Sequence, residues 1–287
     1  MPPPRSDAAA LTARLALLTA LPGVAEGAEA AREACTRLRF DEALRRRIPE
    51  AAAESRIRGA QASAALEGAD VPLDRVRDHV RGALAWPDPP DPVDSVLRGV
   101  VQATAETEHV TALVLRAPLQ ALARLHVAAM AGLLPSDQVG RPRQEGETSQ
   151  ELVDLGPAPS PAEVAARLAE VAAMLTAAVD APAVVVAGVV HAEIATIRPF
   201  VRGNGAVARA MERCIIQASG LDPTGVAVPE AGHGRDGGPG YLGALTAYGS
   251  GGRAGVGLWL QHCAEAVVAG ALEGERICAA VRAGRLS

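Results

Sequence analysis

Apolar residues recur at helical spacing along nearly the whole chain, in runs at 11–21, 25–47, 50–66 and 73–84 and again at 94–115, 118–134, 161–179, 183–197, 204–218 and 256–283, with a short run near Tyr241. Each run presents one apolar stripe that must be buried against a neighbour, which predicts packed amphipathic helices. Trp86-Pro87-Asp88-Pro89-Pro90-Asp91-Pro92 breaks the series, because proline has no N–H to donate and cannot continue a helix. The break predicts an N-terminal helical region, 1–92, and a core, 93–287. Pro118 and Pro161 open their runs, at the helical position where a missing N–H costs nothing. The β-branched run 184–190 has the propensity of a buried strand, yet His191 and Glu193 continue a helical period beyond it, and the segment is assigned to helix. The glycine-rich stretch 232–240 reads as a flexible polar loop.

Composition narrows the fold to one class. Hydrophobic residues make up 49% of the 287 positions but aromatics only 2%, so the core is built from Leu, Val, Ile and Ala, which favours closely approaching helices over a sheet sandwich. The expected class is all-α. All 28 basic residues are arginine, which excludes lysine Schiff-base chemistry. A net charge of −5 gives no electrostatic case for a nucleic-acid partner. Cys35, Cys214, Cys263 and Cys278 are scattered, with no C-x-x-C pair and no clustered histidines, so no metal site is expected and the thiols read as buried in a reducing compartment. The apolar start is interrupted by Arg14 and fits an amphipathic helix ending at Pro22-Gly23, and the 181–197 run is interrupted by His191 and Glu193. Neither a cleaved leader nor a membrane span is expected, and the cytoplasm is the expected compartment.

Candidate chemistry concentrates at Ile197-Arg198-Pro199-Phe200-Val201-Arg202-Gly203-Asn204-Gly205-Ala206-Val207-Ala208-Arg209. A helix ends at Pro199, glycines follow, and a second helix starts near Asn204. Such a start points free N–H groups and a positive dipole end at whatever occupies the loop. Arg198, Arg202 and Arg209 add guanidinium groups suited to phosphate or carboxylate. The plain alternative is an interhelical turn with three solvated arginines. His191 reads as a structural helix residue or a surrogate base two turns before Arg198, and His233 as a mobile loop residue that nothing holds in place.

The same residues resemble the Fic (Fido-fold) signature, His-Pro-Phe-x-(Asp/Glu)-Gly-Asn-Gly-(Arg/Lys)-x-x-Arg, whose loop transfers AMP from ATP to protein hydroxyls. Pro199, Phe200, Gly203, Asn204, Gly205 and Arg209 match. Arg198 replaces the family's general-base histidine, Arg202 its acidic magnesium ligand and Ala206 its basic phosphate ligand. An arginine cannot accept a proton near neutral pH. Upstream, Ser63-x-x-x-Glu67-Gly68 resembles the family's inhibitory helix, here about 54–68, whose glutamate pairs with the last loop arginine; that implies Glu67 against Arg209. Leu125-His126 and Gly140-Arg141-Pro142-Arg143 resemble the stretch before the family's flap hairpin, with Pro142 a departure, and 145–153 is polar and short where the flap's peptide-binding edge stands. Tyr241-Leu242-x-x-Leu245 and Trp259-Leu260 resemble its C-terminal helices.

The resemblance implies an all-α Fic/Fido core with a small β-hairpin flap and an N-terminal helical region. It further implies a nucleotide- or phosphate-binding pseudoenzyme in which Arg198, Arg202, Gly203, Asn204, Gly205 and Arg209 hold the anion and Ser63 and Glu67 inhibit. ATP or another nucleotide is the implied ligand and magnesium is not expected. A protein partner at the flap is allowed for. Two alternatives stay open: a transferase with altered, metal-independent chemistry, and a non-catalytic scaffold or regulatory partner.

Overall fold

The structure is a computed structural model that describes residues 5–151, 155–177 and 179–286. Among these it contains twelve α-helices and no strand. They are α1 (Arg5–Thr19), α2 (Val24–Arg39), α3 (Ile48–Leu66), α4 (Leu73–Val80), α5 (Pro92–Val110), α6 (Pro118–Met130), α7 (Pro161–Thr176), α8 (Ala183–Ile197), α9 (Asn204–Ala218), α10 (Pro229–His233), α11 (Pro239–Gly249) and α12 (Arg253–Arg282). The all-α expectation holds.

The β-branched run falls in α8, which is buried on almost every side. A helix apolar all round belongs at the centre of a bundle, and α8 packs against α7, α9, α11 and α12. The Trp259 indole N–H of α12 donates to Gly188 O of α8 at 2.7 Å, which satisfies the one polar atom of the bulkiest core side chain. One hydrophobic core joins residues from Leu15 in α1 to Val281 in α12, and a smaller cluster under α3, α4 and α5 includes Val76, Leu97 and Ala206.

Three local expectations are corrected. The run at 25–47 stops as a helix at Arg39, and the Asp41 carboxylate accepts the Ala43 N–H at 2.8 Å to start a 3₁₀ turn, the local bond by which Asp competes with helix continuation. The stretch 232–240 is not a loop throughout, since α10 ends at His233 and α11 starts at Pro239. Gly232 serves close approach there: a Cβ would stand 2.1 Å from Ala266 O of α12. The expected flap hairpin shows no strand among the described residues. Residues 143–151 instead run along the loop after α8, with the Arg143 N–H on Pro199 O at 2.6 Å and the Gln150 N–H on Val201 O at 2.7 Å. A polar two-stranded ribbon interrupted by Pro142 has little to hold it together alone. Leu152 and Val153 lie outside the described residues.

Candidate anion-binding site

Arg198 closes α8 with φ 48° and ψ 65°, a left-handed conformation that costs a non-glycine residue roughly 1 kcal/mol. The loop that follows is pinned from both sides. Arg143 is buried and donates through Nε to Arg198 O at 2.8 Å and through Nη2 to Pro159 O at 3.0 Å; burial lowers its guanidinium pKa. The His126 ring stacks on Phe200 with centroids 3.8 Å apart. Its Nδ1 accepts the Gly140 N–H at 2.8 Å, so Nε2 carries the proton and donates to Arg202 O at 3.1 Å.

Asn204 closes the loop on itself, accepting the Phe200 N–H at 2.9 Å and donating to Phe200 O at 3.0 Å. Asn204→Ala leaves both buried Phe200 groups without partners and is expected to cost roughly 2 kcal/mol. Urea unfolding followed by circular dichroism would show this, and an unchanged midpoint would refute the loop-closing role.

At the start of α9, where the sequence predicts an anion cradle, internal carboxylates accept the donors. The Asn204 N–H donates to Glu151 Oε1 at 2.7 Å, and the Asn204 side-chain amide donates to the same oxygen. Burial raises the Glu151 pKa, the Glu67 charge raises it further, and the Asn204 bonds and the Arg202 charge work the other way. One turn along α9, Arg209 donates through Nη2 to Glu67 Oε1 at 2.6 Å and through Nε to Ser63 Oγ at 2.8 Å. Gly205 makes room for this pair, since a Cβ there would lie 2.6 Å from Glu67 Oε1. The remaining cavity is about 40 Å³. A water or two would fill it.

The structure thus brings Glu67, Asn204, Gly205 and Arg209 together around one cavity, with Ser63 on the Arg209 guanidinium. Gly203, with φ 84°, caps α9. Arg202 interacts with Glu151 through its charge and holds the loop through its carbonyl. Arg198 is placed elsewhere: its guanidinium donates to Gly156 O at 2.8 Å and to Thr196 O at 3.3 Å, and it lines neighbouring hollows, not the cavity at α9. The left-handed backbone at 198 turns that side chain away.

A resident magnesium ion does not fit these residues. The loop's acidic position is Arg202, whose positive charge opposes a dication, and the two carboxylates present are committed to Arg209 and to Asn204.

Behind Arg209 lies a polar chain that the sequence reading did not assemble. Arg209 Nη1 donates to the Tyr241 hydroxyl at 3.3 Å, and Tyr241 lies 3.0 Å from His191 Nε2. His191 Nδ1 lies 2.6 Å and His233 Nε2 2.7 Å from the same Glu212 oxygen, and His262 Nε2 lies 3.1 Å from His233 Nδ1. His191, Glu212 and His233 have no exposed surface. His233, expected to be mobile, is fixed in the core. Burial pushes the His191 pKa down to about 4 against the pull of Glu212, and burial also carries the Tyr241 hydroxyl up to about 12. Burial opposes ionisation of Glu212, yet the two imidazoles hold its pKa below the usual carboxylate range. One signal was available: Glu212 stands at Ala208 + 4 and Ile215 − 3, a carboxylate in a core register of α9.

The frame is an all-helical bundle with a glycine-flanked helix start and an arginine one turn on. Residues 116–215 match the family model described as Fic/DOC family, and this central segment is a Fic/DOC-family domain. Solved structures share the fold. A Fic family protein from Desulfovibrio desulfuricans superposes with a TM-score of 0.70 at 20% identity, covering 89% of this chain and 75% of that one. Fic-1 from C. elegans gives 0.69 at 19% identity over 98% and 79%. A Fic domain containing signaling protein from Bacteroides thetaiotaomicron gives 0.61 at 11% over 88% and 98%. Among curated proteins no sequence matches.

Proposed function

We propose that this Fic-domain protein binds a nucleotide or other phosphate-bearing molecule at the start of α9, transfers no AMP, and is closed at rest by its own carboxylates. The observation that carries the reading is the pairing of Glu67 with Arg209 and of Glu151 with the Asn204 N–H. Two carboxylates sit where an anionic ligand would find its donors, so their charges stand in for phosphate oxygens. Loss of AMP transfer follows from Arg198, which has no basic lone pair to take a hydroxyl proton and whose side chain is directed at Gly156. The alternative transferase needs another base at the cavity. Glu151 and Glu67 are the carboxylates there, and both are engaged.

A second reading, a scaffold with no ligand, draws on cavity size. Ligand pockets enclose roughly 300–1,000 Å³, against about 40 Å³ here.

Calorimetric titration of ATP and of inorganic phosphate, each with and without magnesium, separates the two. Glu67→Gly frees Arg209 while leaving Ser63 in place, and Glu67→Gly with Glu151→Ala also exposes the Asn204 N–H. Binding is expected to strengthen at least about tenfold over wild type for each carboxylate removed, the equivalent of about 1.4 kcal/mol, and to be indifferent to magnesium. No heat in the double variant, folded by circular dichroism, would leave the scaffold.

A further inference from the structure

We propose that His191, Glu212 and His233 form a binding site for one divalent transition-metal ion of the zinc class, buried in the helical core beyond Tyr241. The three donor atoms, Nδ1 of His191, a carboxylate oxygen of Glu212 and Nε2 of His233, all lie within 4.8 Å of one another. They come from α8, α9 and α10, so a bound ion would tie three helices together. Two imidazole nitrogens and a carboxylate oxygen are a donor set that suits zinc and its neighbours and is wrong for magnesium or calcium, which take oxygen.

The partners behind the ligands fit the same role. His191 Nε2 meets the Tyr241 hydroxyl at 3.0 Å, and His233 Nδ1 meets His262 Nε2 at 3.1 Å. Each imidazole is thus held at the nitrogen that would not bind metal, the arrangement that fixes the tautomer and aims the other lone pair at the ion.

Charge balance gives an independent reason. The buried carboxylates Glu54, Asp94 and Glu230 each face a guanidinium group, and buried Asp222 accepts two backbone N–H groups and a hydroxyl. Glu212 faces imidazoles instead, and its second oxygen, Oε1, is buried with no hydrogen-bond partner. A carboxylate taken out of water is costly unless a cation or a full set of donors meets it. A dication between the three side chains supplies the charge, and Oε1 is a further oxygen for it. With the ligands fully enclosed, the ion enters as the chain folds and its binding energy becomes folding energy.

The inference does not depend on what occupies the anion site. Its test is metal content and its consequence for stability. Protein expressed with zinc in the medium is expected to retain about one zinc per chain after dialysis, by mass spectrometry. Protein unfolded with chelator and refolded with cobalt is expected to show the visible absorption of a low-symmetry cobalt site. His233→Gln should lose both signals while keeping its helical circular dichroism. If that variant does not fold, wild type decides alone: a melting temperature that rises with zinc during refolding supports the site. Wild type that carries no zinc, takes up no cobalt and melts identically with and without zinc overturns it, leaving the trio as a hydrogen-bonded core.

Discussion

Arg213→Met is expected to destabilise the folded chain by about 3–5 kcal/mol, because it strands a buried carboxylate and leaves the partner's charge in place. Arg213 donates through Nε and Nη2 to both oxygens of Glu230, each at 2.7 Å, and through Nη1 to Ser55 Oγ at 3.0 Å. Both members of the pair are nearly inaccessible, at 4% and 3% side-chain exposure. Methionine fills much of the arginine volume, so the loss reports the unpaired Glu230 and not a cavity. Pairing it with Glu230→Leu removes both charges and is expected to recover most of the loss, since an apolar pair of similar size is commonly neutral. Urea midpoints of the two single variants and the double variant complete the cycle. A single-variant loss under about 1 kcal/mol would mean that water reaches the pair.

The same contact shows how α9 is fastened to α3. Arg209 and Arg213 lie one helical turn apart on α9, and they reach Ser63 and Ser55, two turns apart on α3. Gly59, between those serines, carries no Cβ, which would otherwise lie 2.6 Å from an Arg213 nitrogen. The helix that carries Glu67 is therefore held in position by Arg213 and Glu230, away from the anion site. Removing Glu67 frees Arg209 without unfastening α3.

Sequence reading reached some of this and not the rest, for physical reasons. Helical periodicity located α8 and α9 to the residue, because their neighbours, Pro182, Arg198-Pro199 and Gly203, are strong backbone punctuation. Ser63, Glu67 and Arg209 were legible through family resemblance, which carries a contact across 142 residues. Glu151 was not, since in a short polar segment a glutamate looks solvated; only the fold lays that segment on the start of α9. Arg213 with Glu230, and His191 with Glu212 and His233, were invisible for the same reason. Periodicity reports which face is buried but not which polar side chains meet there, and these partners lie 17 to 21 residues apart on separate helices. The arginine at 198 misled in the opposite direction. Its place in the motif set it beside the anion, whereas the left-handed backbone before Pro199 carries it to Gly156.

Acidification is expected to weaken the fold through His126. Burial pushes its pKa from 6.5 down to about 4, and its hydrogen bond to the Arg202 carbonyl opposes that only in part. The ring is fully buried between Phe200 and the Gly140 N–H, and a second proton would have to go to the nitrogen that accepts that N–H. The folded pKa is depressed, so the unfolded chain binds the proton first. The neutral ring's contribution is whole above pH 6.5 and is lost as pH falls towards 4, amounting to about 3 kcal/mol over that window. Comparison with His126→Asn isolates it: the stability advantage of wild type over the variant should shrink by about 3 kcal/mol between neutral pH and pH 4. An advantage independent of pH would show that His126 stays neutral in the unfolded chain or is protonated in the folded one. The loop at Phe200 would then be held by shape alone.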